Sequence, residues 1–195
     1  MEFKMEQIRC FIAIELPEEL KRELFKLQSQ LKAASRASVK WVDTKSIHLT
    51  LKFLGNVDVN RIPTILETIA QARQGIAPFH LEVAGTGVFP GPKQPRVAWV
   101  GLRGDVPILL RLQERIESAL VPLGFASEAR SFTPHITLGR VRPEGQAAEK
   151  QKLAQAVIST RFEAITPLDV KAVDLIKSQL TPTGAIYTSL DEVTL

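Results

Sequence analysis

The sequence predicts an α+β fold of two pseudo-symmetric lobes, each an antiparallel sheet backed by helices, with a central cleft. Two observations carry this. Strand-like and helix-like apolar patterns alternate along the 195 residues, as they do in mixed two-layer folds. In addition, a strand–helix–strand pattern ending in His-x-Thr occurs once in each half, as Ile47-His48-Leu49-Thr50-Leu51 and as Pro134-His135-Ile136-Thr137-Leu138. No linker or low-complexity segment separates the halves, so residues 1–195 are expected to form one domain of two intertwined lobes.

Residues 8–14 (IRCFIAI) form a short apolar run that suits a strand. Pro17 opens a helix where its missing N–H costs nothing, and Glu18 and Glu19 suit the positive end of the dipole. Leu20, Leu24, Leu27 and Leu31 continue it at helical spacing to about Ala34. Residues 39–42 read as a short strand carrying Trp41, a core or pocket-rim residue. The first motif strand covers residues 47–54, with Leu49, Leu51 and Phe53 toward a core and a turn at Gly55-Asn56. Asp58 caps a second helix with Ile62, Ile65, Leu66 and Ile69 inside, closed by Gly75. Phe79, Leu81 and Val83 alternate with His80 and Glu82, which makes His80 a surface histidine.

Residues 85–95 hold three glycines and three prolines and read as a loop. Its Lys93 and Arg96 belong either to a solvated hairpin connection or to a flap that meets a phosphorylated ligand. Residues 97–102 return as a strand. Asp105 caps a third helix with Ile108, Leu109, Leu112, Ile116 and Leu120 inside, ended by Pro122 and Gly124. Pro134 fixes an extended entry to the second motif. A fourth helix is expected over 144–159. Two closing strands, at 162–176 with a break at Pro167 and at 185–190, are joined by a turn at Thr181-Pro182-Thr183-Gly184.

Hydrophobic residues make up 45% of the chain and charged residues 24%, which is ordinary for a soluble globular protein. No apolar run approaches the ~20 residues of a membrane helix. Met1 to Glu6 lack the form of a signal peptide. Cys10 is the single cysteine and sits in an apolar run, so it reads as a buried thiol in a reducing, cytoplasmic setting. The net charge of +4 leans toward a polyanionic partner.

Two of the three histidines sit in the repeated motif. Side chains alternate along a strand, so His48 shares a face with Thr50, and His135 with Thr137. Three readings are open. Metal binding needs further ligands, and the face neighbours are threonines, which are poor ones. A structural role for half-buried sheet histidines leaves the repeated threonine unexplained. The third reading is paired acid–base catalysis. An imidazole titrates near pH ~6.5, so one ring can accept a proton while the other gives one. Displacement at phosphorus needs that pair on opposite sides of the phosphate, and threonine hydroxyls can donate to the oxygens where charge grows. Such a site requires no metal, nucleotide or thiol.

The two motifs resemble those of the 2H phosphoesterase superfamily, and within it the RNA 2′,3′-cyclic phosphodiesterases, also called the LigT/ThpR or 2′-5′ RNA ligase family. The likeness extends over Arg9 to Ile14, Val39-Lys40-Trp41-Val42, His48 to Gly55, Phe89-Pro90, Pro95 to Gly101 and Phe132 to Arg140. It implies hydrolysis of RNA 2′,3′-cyclic phosphate ends, tRNA fragments among them, to 2′-phosphomonoesters, with reversible 2′-5′ RNA ligation as a second reaction of the same ends. It implies His48 as proton donor and His135 as proton acceptor, an assignment the internal symmetry makes reversible. Thr50 and Thr137 would hold phosphate oxygens, without cofactor or metal, in a monomer.

Arg140 is a further phosphate-binding candidate through its guanidinium fork. Strict alternation puts it opposite His135, so it reaches the cleft only if Gly139 bends or bulges the strand. A solvated surface arginine is the other reading. Phe132 is either a base-stacking or a core residue, and Lys52 and Arg130 are candidate backbone contacts. Two other functions stay open: a catalytically silent RNA-end binding module, and a phosphodiesterase for a small cyclic nucleotide.

Overall fold

The computed structural model describes residues 6–182 and 184–195. Met1 to Met5 of the expected leaderless N-terminus, and Thr183 of the expected turn, lie outside the described residues. The strands are β1 (Gln7–Glu15), β2 (Val39–Trp41), β3 (His48–Asp58), β4 (Phe79–Phe89), β5 (Val97–Gly104), β6 (Ile136–Val141), β7 (Leu168–Val170), β8 (Ala172–Thr181) and β9 (Gly184–Thr194). The helices are α1 (Glu18–Ala34), α2 (Ile62–Ala72), α3 (Val106–Leu120) and α4 (Ala147–Ser159).

The strands form two sheets of antiparallel pairs, ordered β3-β1-β8-β9 and β2-β6-β5-β4-β7. This is the expected α+β architecture, with one motif strand in each sheet. The helices are exchanged between the halves. α1 follows β1 of the first sheet yet packs with α4 on the second, while α3 follows β5 of the second sheet and packs with α2 on the first. Leu20, Leu24, Leu27 and Leu31 of α1 are buried, as are Leu109, Leu112, Ile116 and Leu120 of α3. Apolar stripes of this kind hold such helices on a sheet far more firmly than propensity does. No helix among the described residues is long and apolar enough to cross a membrane.

Several expectations need correction, and the commonest cause is strand register. β3 does not stop at Gly55-Asn56. It runs to Asp58, with Gly55 at φ 72° opposite Cys10 where the pairing with β1 shifts. Glycine there serves a bulge rather than a turn. Residues 85–89 likewise continue β4, and the connection is only residues 90–96. Asp58 caps a 3₁₀ turn (Val59–Arg61) ahead of α2, accepting from Asn60 N at 2.9 Å. Asp105 makes no side-chain cap. Its Oδ2 accepts from His80 N at 3.0 Å, joining α3 to β4. The fourth helix starts at Ala147. The closing strand switches sheets after Val170, so that β7 edges β4 and β8 pairs with β1. His80 is exposed, with Nδ1 at 2.5 Å from Asp169. Trp41 and Phe132 pack against the core, and Cys10 is buried, which raises its thiol pKa.

Candidate active site

In β3, Leu49 and Leu51 enter the core. His48 lies opposite Glu15 of β1, and Thr50 opposite Ala13. The next partner of β1 is Lys52, opposite Ile12, so Leu51 is an extra residue without a partner. Such a bulge turns the residues that follow by one step. Lys52 therefore points inward, 3% exposed, and its Nζ donates to Glu117 Oε1 at 2.6 Å and to Ala126 O at 2.9 Å. It is a buried ion pair, not a backbone contact for a ligand. Phe53, expected in the core, is turned outward and is 53% exposed beside Phe11.

β6 repeats the device. Thr137 lies opposite Trp99 of β5, Gly139 opposite Ala98 and Arg140 opposite Val97, with Leu138 as the extra residue. Trp99 and Val97 share one face of β5, so Thr137 and Arg140 share that face too. The bulge supplies what strict alternation denied. Arg140 is exposed on the motif face, next to Lys40 of β2, and occupies in the second half the position that Phe53 holds in the first. Gly139 is required beneath it, because a Cβ there would lie 2.8 Å from Val39 Cγ1 and 3.0 Å from Trp41 Cε3.

The histidines are held in matching ways. His48 Nδ1 lies 2.8 Å from Ser46 O, and His135 Nδ1 lies 2.7 Å from Thr133 O. A carbonyl only accepts, so in each ring Nδ1 carries the hydrogen and Nε2 is left for other partners. Aromatic rings fix each plane. Phe11 stacks on His48 at 4.6 Å and Tyr187 of β9 meets it edge-on at 5.1 Å. Phe89 of β4 meets His135 edge-on at 5.0 Å and itself stacks on Trp99 at 4.9 Å. Trp99 in turn needs Gly87, where a Cβ would lie 2.2 Å from the indole.

Sequence reading missed Phe11, Tyr187, Phe89 and Trp99 as neighbours of the site. Phe89 and Trp99 stood in the segments that carried the family likeness, but Tyr187 reaches His48 only through the pairing of β8 and β9. The seam between the sheets brings β3 alongside β6, and Val42 N, just past β2, donates to Leu138 O at 2.9 Å. Among the described residues, no three His, Cys, Asp or Glu side chains cluster so as to hold a metal ion. Lys93 and Arg96 lie in the connection at 90–96, and Arg130 is exposed.

Burial pushes His48 down from 6.5 to about 4. The Ser46 carbonyl opposes that shift, and the Lys21 charge adds to it. The folded chain thus binds this proton less readily than the unfolded chain does. Stability contributed by the neutral ring is fully present above about pH 6.5, and is lost as pH falls from there through about 4. Urea midpoints measured across that window are expected to fall more steeply for the wild type than for His48→Gln. Equal slopes would contradict a half-buried imidazole kept neutral by its surroundings.

The site can be set beside known proteins. A family model described as "LigT like Phosphoesterase" matches residues 14–99 and 104–187, one stretch in each half. The chain is 34% identical to an RNA 2′,3′-cyclic phosphodiesterase of Methanothermobacter thermautotrophicus over 185 residues, 95% of this chain and 97% of that protein. It superposes on TT0787 of Thermus thermophilus with a TM-score of 0.77 at 29% identity, covering 96% and 98% of the two chains. It superposes on E. coli LigT complexed with 3′-AMP with a TM-score of 0.73 at 26% identity, covering 97% and 99%.

Proposed function

The chain belongs to the LigT-like phosphoesterases of the 2H superfamily, and from that premise we propose that it hydrolyses RNA 2′,3′-cyclic phosphate ends to 2′-phosphomonoesters by metal-independent catalysis on two histidines. The observation that carries this reading is the duplication itself. Two His-x-Thr strands, each followed by a bulge, present two imidazoles with the same free nitrogen.

His135 Nε2 takes the proton of a water attacking phosphorus. The P–O3′ bond breaks, and His48 Nε2 gives its proton to O3′. The 2′ oxygen keeps the phosphate. Thr50, Thr137 and Arg140 hold the non-bridging oxygens, where charge grows in the transition state. With a 5′-hydroxyl in place of water as the nucleophile, the same forward steps open the cyclic phosphate into a 2′-5′ phosphodiester, and their reverse cleaves that bond. The 3′-AMP complex of the E. coli relative supports a nucleotide with a terminal phosphate as the bound group, and RNA fragments with cyclic ends, tRNA halves among them, as the substrates.

The acid role for His48 needs a pKa above that of the free ring. A phosphodiester anion beside the imidazole supplies that shift, because an opposite charge nearby favours the protonated form. The low value of about 4 in the free chain favours the reverse assignment, so the roles call for a separate test. The p-nitrophenolate of a p-nitrophenyl phosphodiester departs without a proton. His48→Ala is expected to keep its turnover of that ester within about tenfold of wild type, while His135→Ala loses it. The opposite pattern would make His48 the base.

A further inference from the structure

A β-bulge leaves one residue without a partner in the register of the opposite strand, and its buried main-chain carbonyl draws donors from outside that pairing. Each motif bulge here meets a buried glutamine. Gln28 of α1 is 1% exposed, and its Nε2 donates to Leu138 O at 2.9 Å and to Val42 O at 2.8 Å. Gln113 of α3 is 7% exposed, and its Nε2 lies 3.4 Å from Leu51 O and 3.3 Å from Glu117 Oε2. Leu138 and Leu51 are the two extra residues of the two bulges. Because the helices are exchanged, each glutamine comes from the helix that follows the other sheet's strand.

We propose that Gln28 and Gln113 are positioning residues that hold the two motif bulges in register, each lobe thereby setting the geometry of the other's half of the site. The bulge at Leu138 is what turns Arg140 onto the face of Thr137. The bulge at Leu51 is what directs Lys52 inward and Phe53 outward after Thr50. Leu138 O also accepts from Val42 N at 2.9 Å, so Gln28 gives this buried carbonyl its second donor and ties it to Val42 O, and a bulge residue held in this way favours this register over the regular ladder. Glutamine suits the role because its amide donates while the rest of the side chain stays neutral in the core. The role of the motif threonines and Arg140 rests on the function proposed above.

The test is a pair of thermodynamic cycles. Gln28→Met keeps the volume and removes the donor. It is expected to lower kcat/KM for a cyclic-phosphate RNA oligomer about tenfold, one hydrogen bond's worth of placement. In that background Arg140→Ala should cost little more, while Thr50→Val should keep its full cost. Gln113→Met should show the mirror pattern, coupled to Thr50→Val and not to Arg140→Ala. A glutamine that served stability alone would give additive losses in every pair. Additive cycles, or activity of folded Gln28→Met within twofold of wild type, overturn the inference. Should Gln28→Met fail to fold, Gln113→Met carries the same comparison. Titration of inorganic phosphate, followed by the His135 ring resonances, gives a readout free of turnover. Weaker phosphate binding in Gln28→Met supports the inference and unchanged binding refutes it, even if the RNA substrate proposed above proves wrong.

Discussion

Alanine at either motif histidine is expected to lower turnover of a cyclic-phosphate RNA end by about 10²–10⁴-fold, the usual contribution of one positioned acid or base. His48 lies on a strand face fixed by its pairing opposite Glu15, and His135 lies just ahead of β6. Each has Nδ1 tied to a carbonyl two residues earlier. No neighbouring imidazole can take over, since the remaining histidine, His80, is paired with Asp169 on the second sheet's β4. The double variant should be little worse than the poorer single one, because acid and base act in one step and such losses are not additive. Folding should survive both changes, as His48 and His135 are only half-buried. Single-turnover rates check this. Near wild-type rates in either folded variant would remove the two-histidine mechanism.

The largest stability effect is expected at Lys52. Its ammonium is almost wholly buried against Glu117 Oε1 at 2.6 Å, and Glu117 Oε1 also accepts from Glu128 N at 2.7 Å. Ala126 O takes a second hydrogen bond from Lys52. Lys52→Met strands the Glu117 carboxylate, and breaking a buried pair in this way costs about 3–5 kcal/mol. Adding Glu117→Leu should recover much of that loss, because two apolar residues leave no uncompensated charge. The pair also ties residues 126–128, on the approach to His135, to the strand of the first motif, so kcat should fall along with stability in the single variant. Urea unfolding measures the first effect. A loss below about 1 kcal/mol would mean that Glu117 is solvated.

The motif histidines and threonines were legible in the sequence because they announce themselves by residue type and by repetition. The helices were legible from leucine spacing, and α1 and α3 fall where that spacing puts them. What could not be read was register. Alternation counted through Leu51 and Leu138 puts Phe53 in the core and Arg140 on the face opposite His135. Bulges at those two positions invert the count, and a bulge is decided by pairing with β1 and β5, which local sequence does not contain. Residues 85–89 read as loop for a related reason. Glycine at 87 breaks nothing; it makes room for the Trp99 ring across the strand pair. Tyr187 was invisible because its contact with His48 depends on the order β3-β1-β8-β9, which joins residues far apart in the chain. The exchange of α1 and α3 between the sheets was equally hidden, since amphipathic stripes say that a helix packs but not on which sheet.

The central claim is tested most directly by the product. An RNA oligomer ending in a 2′,3′-cyclic phosphate is incubated with the protein in excess EDTA, and the new end is identified by its sensitivity to nucleases that distinguish 2′- from 3′-phosphates. The two-histidine site predicts complete conversion to the 2′-phosphate, at the same rate with and without chelator. Unchanged substrate, a 3′-phosphate product, or activity that EDTA abolishes would contradict it.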